Sequence, residues 1–202
     1  MSRCARIVLI GLALLLLAAA GGVAYLRSQG FGARGARPSW IETAVARRLR
    51  DLATPRSVEA VRNPWPITTE TIAAGRRHFA DHCAICHAND GSGDTELGRG
   101  LYPPPPDLRR AATQELSDGE LFAIIENGIR FTGMPGFGEG TAESSRETWY
   151  LVHFIRHLPR ITPEELAEME QLNPKTADEW REQQEAEAFL KGETTPRPPH
   201  PH

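Results

Sequence analysis

The chain has 202 residues, 40% of them hydrophobic and 24% charged, with a formal net charge of −3, a length that accommodates one domain with extensions rather than several. Charge runs from +2 over residues 1–26 and +5 over 27–67 to −4 over 68–160 and −6 over 161–202; the part most able to fold therefore offers no basic stripe, and no nucleic-acid partner is expected. Three cysteines are too few for a disulfide scaffold.

Ile7 to Leu26 are 20 consecutive residues without a charge, preceded by Arg3 and Arg6. As a helix this stretch is about 30 Å long, enough to cross the hydrocarbon core of a bilayer. Ala18, Ala19 and Ala20 resemble a signal-peptide cleavage site, but apolar character continues through Val23, Tyr25 and Leu26, which favours a retained anchor. Residues 1–26 thus read as a signal-anchor or transmembrane helix. Arg27, Arg34 and Arg37 flank its far end, so the charge rule alone leaves the orientation tied.

Residues 27–67 read as a tether followed by an amphipathic helix. The first part, 27–38, is rich in Gly and Arg. Ser39 is placed to cap a helix from Trp40 to Leu52 with Trp40, Val45, Leu49 and Leu52 on one side. Two roles fit this helix: Arg47, Arg48 and Arg50 touching lipid headgroups, or a strap packed on the main domain. Pro55, Pro64 and Pro66 keep the following approach extended.

Residues 68–160 carry the compact domain. Thr69 to Asp81 is predicted helical, with Ile72, Gly75 and Phe79 turned inward; residues 88–116 are loop-like, with four glycines and the run Pro103 to Pro106. Ser117-Asp118-Gly119-Glu120 is a capping box opening a helix through Leu121, Phe122, Ile124 and Ile125, stopped at Gly128. A last helix is expected from about Ser145 to Leu158. No segment alternates as a strand, so the fold class is all-α. Residues 161–202 form an acidic helical tail, with starts at Thr162-Pro163-Glu164-Glu165 and at Thr176, and a disordered Pro/His end.

Chemistry concentrates at Cys83-Ala84-Ile85-Cys86-His87, the spacing by which c-type haem is attached. Two thiols one helical turn apart can add to the haem vinyl groups, and the next histidine lies beneath the iron. A zinc site would need a second Cys or His pair; His78 and His82 precede the motif and His153 and His157 are read as a helix face, so neither pair is assigned to it. A thioredoxin-like redox pair would need a βαβ context. Met134, in Gly133-Met134-Pro135-Gly136-Phe137, lies 47 residues beyond His87 and supplies a thioether for the other axial position, the ligation of cytochromes c. Met1 and Met169 are the other methionines, Met169 within the acidic tail. Leu97, Leu101, Phe131 and Phe137 are further candidates to close around the porphyrin. His78 and His82 precede the attachment motif. His153 and His157 are read as part of a solvated helix face, and His200 and His202 as a weak candidate for copper or zinc.

These motifs resemble the class I c-type cytochromes, in particular the single-haem bacterial domains found in cytochrome subunits of haem-copper oxidases. Gly75-Arg76-Arg77-His78-Phe79 ahead of Cys83 matches the family's Gly-x-x-x-aromatic helix, and Pro106-Asp107-Leu108 is similar to its Pro-x-Leu. The resemblance implies three to four helices around one covalently bound haem c. It implies that Gly75 lets the first helix cross closely at an aromatic of the last, here Phe154, that the Pro106 carbonyl accepts the Nδ1 proton of His87, and that Leu108 packs on the haem. Haem attachment outside the cytoplasm, also implied by the family, breaks the orientation tie: N-terminus cytoplasmic, haem domain periplasmic, anchored in a bacterial inner membrane.

The expected function is electron transfer, as a membrane-tethered carrier or a relay subunit of a respiratory complex, and not catalysis, since His87 and Met134 fill both axial positions. A haem-based ligand sensor and a metal-handling protein using the His-containing end are the alternatives. The partners expected are redox proteins and, through the N-terminal helix, a membrane. With Lys175 and Lys191 the only lysines, a docking rim would draw on Arg99, Arg109, Arg110 and Arg130.

Overall fold

The computed structural model describes residues 2–29, 38–53, 55–175 and 177–191. They divide into two compact units between residues 36 and 37. The expected cap at Thr176 and the Pro/His end with His200 and His202 lie outside the described residues.

The first unit is one helix, α1 (Arg3–Gln29). From Arg3 to Ser28 it is long and apolar enough to cross a membrane, and none of its most apolar stretch is buried against protein.

The second unit is helical, and no strand occurs among its described residues. Its elements in order are α2 (Trp40–Ala53), the single turn α3 (Arg56–Glu59), α4 (Thr69–His78), a π-helical turn (Phe79–Cys83), α5 (Ala84–His87), α6 (Ala111–Gln114), α7 (Asp118–Asn127), α8 (Ala142–His157), α9 (Pro163–Leu172) and α10 (Ala177–Leu190). Helix starts follow local chemistry. The Ser117 side chain accepts from Glu120 N–H while the Glu120 carboxylate accepts from Ser117 N–H at 2.7 Å, and Thr162 with Glu165 repeats the arrangement. Gly128 ends α7 at φ +67°.

The core is the crossing of α4 and α8. A Cβ added at Gly75 would stand 2.1 Å from the Tyr150 carbonyl oxygen and 3.0 Å from Phe154 Cβ, so the two helix backbones approach to a distance only glycine allows. Phe79, Leu151, Val152, Phe154 and Leu158 are buried around it, with the Phe79 and Phe154 rings 5.1 Å apart. Trp149 stacks on Phe122 of α7 at 4.1 Å. Arg156 donates to the carbonyls of Gln114 and Leu116 and to Asp118 Oδ1, pinning the end of α8 to the start of α7.

Packing does not stop at residues 68 and 160. Ahead of α4, Asn63 donates to the Trp149 carbonyl at 2.8 Å, and Gly119 lies so close to the Val58 carbonyl that a Cβ would stand 1.9 Å from it. Beyond α8, α9 folds back on the domain: Met169 is fully buried in the core, and Glu165 lies 2.7 Å from Arg76 Nη1 and 2.8 Å from His157 Nε2.

The solvated face expected for His153 and His157 is therefore corrected. His153 is 4% exposed, and its Nε2 lies 2.9 Å from the Trp65 carbonyl, to which it donates. His157 is paired with Glu165. Both are structural contacts.

Candidate functional site

Cys83, Cys86 and His87 stand on a continuous helical segment whose pitch changes at the motif. The Thr68 side chain caps α4 by accepting from Thr71 N–H. The helix then loosens into the π turn Phe79–Cys83 before resuming as α5. The expected single helix Thr69–Asp81 is thus interrupted at Phe79, a place where π turns commonly mark functional positions. α5 ends at Ala88, which is held at φ +59° and ψ 157°, a conformation that costs a residue with a side chain on the order of 1–3 kcal/mol.

From Ala88 the chain turns back under the motif. Gly93 N–H donates to the His87 carbonyl (2.8 Å) and Leu108 N–H to the Gly91 carbonyl (2.8 Å). A Cβ at Gly93 would meet the Pro105 carbonyl oxygen at 2.6 Å, so the Pro105–Leu108 strip lies hard against the turn that follows His87. A charge cluster fastens this strip. Arg109 donates to Asp107 Oδ1 through Nε (2.8 Å) and to Asp90 Oδ2 through Nη1 (2.8 Å). The hydrogen bond from Arg109 is the main reason that the Asp107 carboxyl is held down at about 2.

The two thiols are unpaired. Burial, helped by the neighbouring Cys86, pushes the Cys83 thiol up to about 12, and burial also raises Cys86. Protonated thiols in apolar surroundings are the reverse of the lowered-pKa cysteines of thiol redox centres. His87 packs beside Phe79, ring centroids 6.4 Å apart. Desolvation lowers its pKa, opposed by the Pro106 carbonyl, so the imidazole stays neutral and keeps a ring nitrogen available to a metal. Its Nδ1 is buried without a hydrogen bond of good geometry. The Pro106 carbonyl therefore approaches the ring, as the resemblance implies, without completing that bond.

Met134 sits in a loop laid over the end of α7. Phe137 N–H donates to the Ile125 carbonyl and Gly138 N–H to the Glu126 carbonyl. Met134 N–H donates to Thr132 Oγ1 at 3.1 Å, and its carbonyl accepts from Ile129 N–H. Met134, Cys83 and Phe137 pack on the same apolar cluster as buried Leu108 and Ala84. Residues separated by 51 positions in sequence thus border one hydrophobic core. Leu97, Leu101, Ile85, Glu96 and Gly100 line a cleft of about 580 Å³. Phe131 is fully exposed, at φ +61°.

These features fit a c-type haem. The donor set is two protonated thiols, a neutral imidazole with an orphaned buried nitrogen and a thioether, beside an apolar cleft. Among the described residues no three His, Cys, Asp or Glu side chains gather to hold a bare metal ion. A larger cleft of about 670 Å³, lined by His78, Asp81, His82 and Glu147 among others, includes none of Cys83, Cys86, His87 or Met134. The arginine rim is mostly engaged: Arg99 pairs with Asp94, and Arg109 and Arg110 with Asp107. Sequence reasoning missed the contribution of Met169 and Asn173, which close the underside of the motif. With its amide nitrogen toward Ala80 O (3.1 Å) and Asn89 Oδ1 (2.9 Å), Asn173 ties the end of α9 to both sides of the attachment segment. No local pattern signals that contact.

Comparison with known proteins gives the following. Residues 70–155 match the family model described as cytochrome C oxidase, cbb3-type, subunit III. Among solved structures, the reducing HAO-like protein complex Kustc0457/Kustc0458 of Kuenenia stuttgartiensis is similar at 25% identity with a TM-score of 0.41. The likeness covers 48% of this chain and 49% of that one, so the chain spans about half the length of that relative. No curated protein matches.

Proposed function

We propose, from the premise that residues 70–155 form a c-type cytochrome domain serving haem-based electron transfer, that the chain is a membrane-tethered, single-haem electron relay with His87 and Met134 as axial ligands. Cys83 and Cys86 would hold the haem through thioether bonds, Leu108 and the Ile85–Leu101 cleft would pack on it, and the Pro106 carbonyl would orient His87. The bound haem supplies a one-electron Fe(III)/Fe(II) couple whose potential is raised by the thioether ligand. The protein's part is to exclude water, hold His87 neutral and keep the Met134 loop in place. With His87 and Met134 both holding the iron, no position would be left for a substrate, which supports a carrier role.

One observation carries this reading: a motif thiol, Leu108 and Met134, from three separate segments, pack on one apolar cluster. The helix α1 supplies the tether. Placement of the haem domain in the periplasm is part of the proposal, supported by the family's site of haem attachment. Because the matched family is described as an oxidase subunit, the partners proposed are redox proteins of a respiratory chain. The test is spectroscopic. The oxidised protein should show a far-red sulfur-to-iron charge-transfer band, and Met134→Ala should abolish it and lower the midpoint potential. An unchanged spectrum and midpoint in that variant, or ready CO binding by the reduced native protein, would overturn the His/Met assignment.

A further inference from the structure

The helix α2 presents the wrong face to water. Successive residues of an α-helix are 100° apart, so Ile41, Val45 and Leu49 fall within an 80° arc on one side, while Trp40, at the first turn, lies outside that arc, 100° from Ile41. Those side chains are 54%, 52%, 61% and 80% exposed, respectively. The half-buried positions of α2 are Thr43 and Arg50, on the opposite side, and Tyr102 Oη donates to Glu42 Oε1 at 2.8 Å. Thr43 and Arg50 are therefore the polar side turned away from the apolar arc, and Glu42, 20° from Leu49, fastens the helix to the domain at the rim of that arc. Its start is well built, with Ser39 and Glu42 exchanging hydrogen bonds across the first turn (2.7 and 3.2 Å). A capped helix with four large apolar side chains turned outward has a second surface to meet.

We propose that this surface is an anionic phospholipid bilayer, the same membrane that holds α1; the proposal rests on the tether reading given above. Chain length permits it. The span ends at Ser28 and α2 begins at Trp40, so eleven residues intervene, which reach at most about 40 Å when fully extended. Charge selects it. Residues 27–67 carry +5 while everything after them is net acidic, so an anionic surface attracts this segment and repels the rest. Exposed Arg48 borders the apolar face at Ile41 and exposed Arg47 lies beside Trp40; such long stems lie along a lipid surface while their guanidinium groups reach phosphate. Trp40 at the helix start is the residue type that settles at headgroup depth. Because Glu42 is bonded to Tyr102, next to Leu101 of the cleft, seating α2 on lipid holds that side of the domain close to the bilayer, where a membrane-embedded redox partner is met.

The test uses the full haem-loaded chain in nanodiscs of phosphatidylglycerol mixed with phosphatidylcholine, in nanodiscs of phosphatidylcholine alone and in detergent. Amide exchange across residues 40–53 is expected to slow roughly tenfold or more in the anionic discs relative to detergent, with a smaller effect in the zwitterionic discs. The double variant Val45→Glu/Leu49→Glu should lose that protection while its haem spectrum is unchanged, and Arg47→Gln/Arg48→Gln should lose only the preference for anionic lipid. Equal exchange in discs and detergent, with the chain incorporated, overturns the proposal and leaves the tether intact. Protection already complete in detergent means that α2 packs on its own domain, or on a second copy if it rises with protein concentration; either outcome overturns it. Failure of the chain to enter nanodiscs overturns the tether and this proposal together.

Discussion

The two sides of the helical domain built on α4 and α8 are held together differently. Where α4 crosses α8, packing is protein against protein: Phe79, Val152 and Phe154 are at most 1% exposed, and the backbones touch at Gly75. On the side carrying residues 94–101 and 128–138, backbone hydrogen bonds and ion pairs fix the loops, while Ile85, Leu97, Ile129 and Phe131 remain substantially exposed. A domain of this size has little interior to spare. The first side is filled by the chain's own side chains; the second leaves apolar side chains that an added apolar body would cover.

The largest effect separates those two sides. Cys83→Ser/Cys86→Ser, which removes covalent haem, is expected to abolish the cooperative thermal transition. A sharp, native-like melt without haem would show that the helical scaffold stands alone. Next comes the scaffold itself. Gly75→Ala drives a methyl group into the Tyr150 carbonyl, and because the obstacle is backbone, the helices must move apart. Overpacking of this kind is expected to cost on the order of 3–4 kcal/mol by chemical denaturation. A loss below about 1 kcal/mol would mean that the crossing is looser than the structure shows. Met169→Ala follows at about 3 kcal/mol, the usual cost of truncating a fully buried methionine. A near-neutral result would place α9 outside the cooperative unit.

Met169 also marks where sequence reading ran out. Caps at Ser117 and Thr162 were legible because each is a contact between residues three apart, and Gly128 because a helix stop with positive φ favours glycine. The haem motif and the Gly75 crossing were legible because residue types and spacing carry them. Met169 stood in an acidic stretch whose composition is that of a solvated helix; its burial depends on α9 folding back beneath Ala80, decided far away in sequence. His153 failed for the same reason. At i, i+4 from His157 it matches an exposed face, and only the Trp65 carbonyl, 88 residues earlier, makes it a core hydrogen bond. The π turn at Phe79–Cys83 has no sequence signature, since one altered hydrogen-bond register leaves residue preferences unchanged.

The smallest effect tests how the loop side is fastened. Asp107 is held at about 2 chiefly by the hydrogen bond from Arg109, against a reference value of 3.8. A carboxyl whose pKa is depressed on folding contributes stability that is fully present above its unfolded value and is lost as pH falls through its folded value. The native protein should therefore lose part of its stability between about pH 4 and pH 2 through this group, on the order of 1 kcal/mol after allowing for partial solvent screening. Asp107→Asn should show a similar loss already at neutral pH and a flatter stability curve across that acid window. If the variant keeps the native acid slope, the Asp107–Arg109 contact does not hold the Pro106–Leu108 strip, and the loop side depends for its order on apolar packing alone.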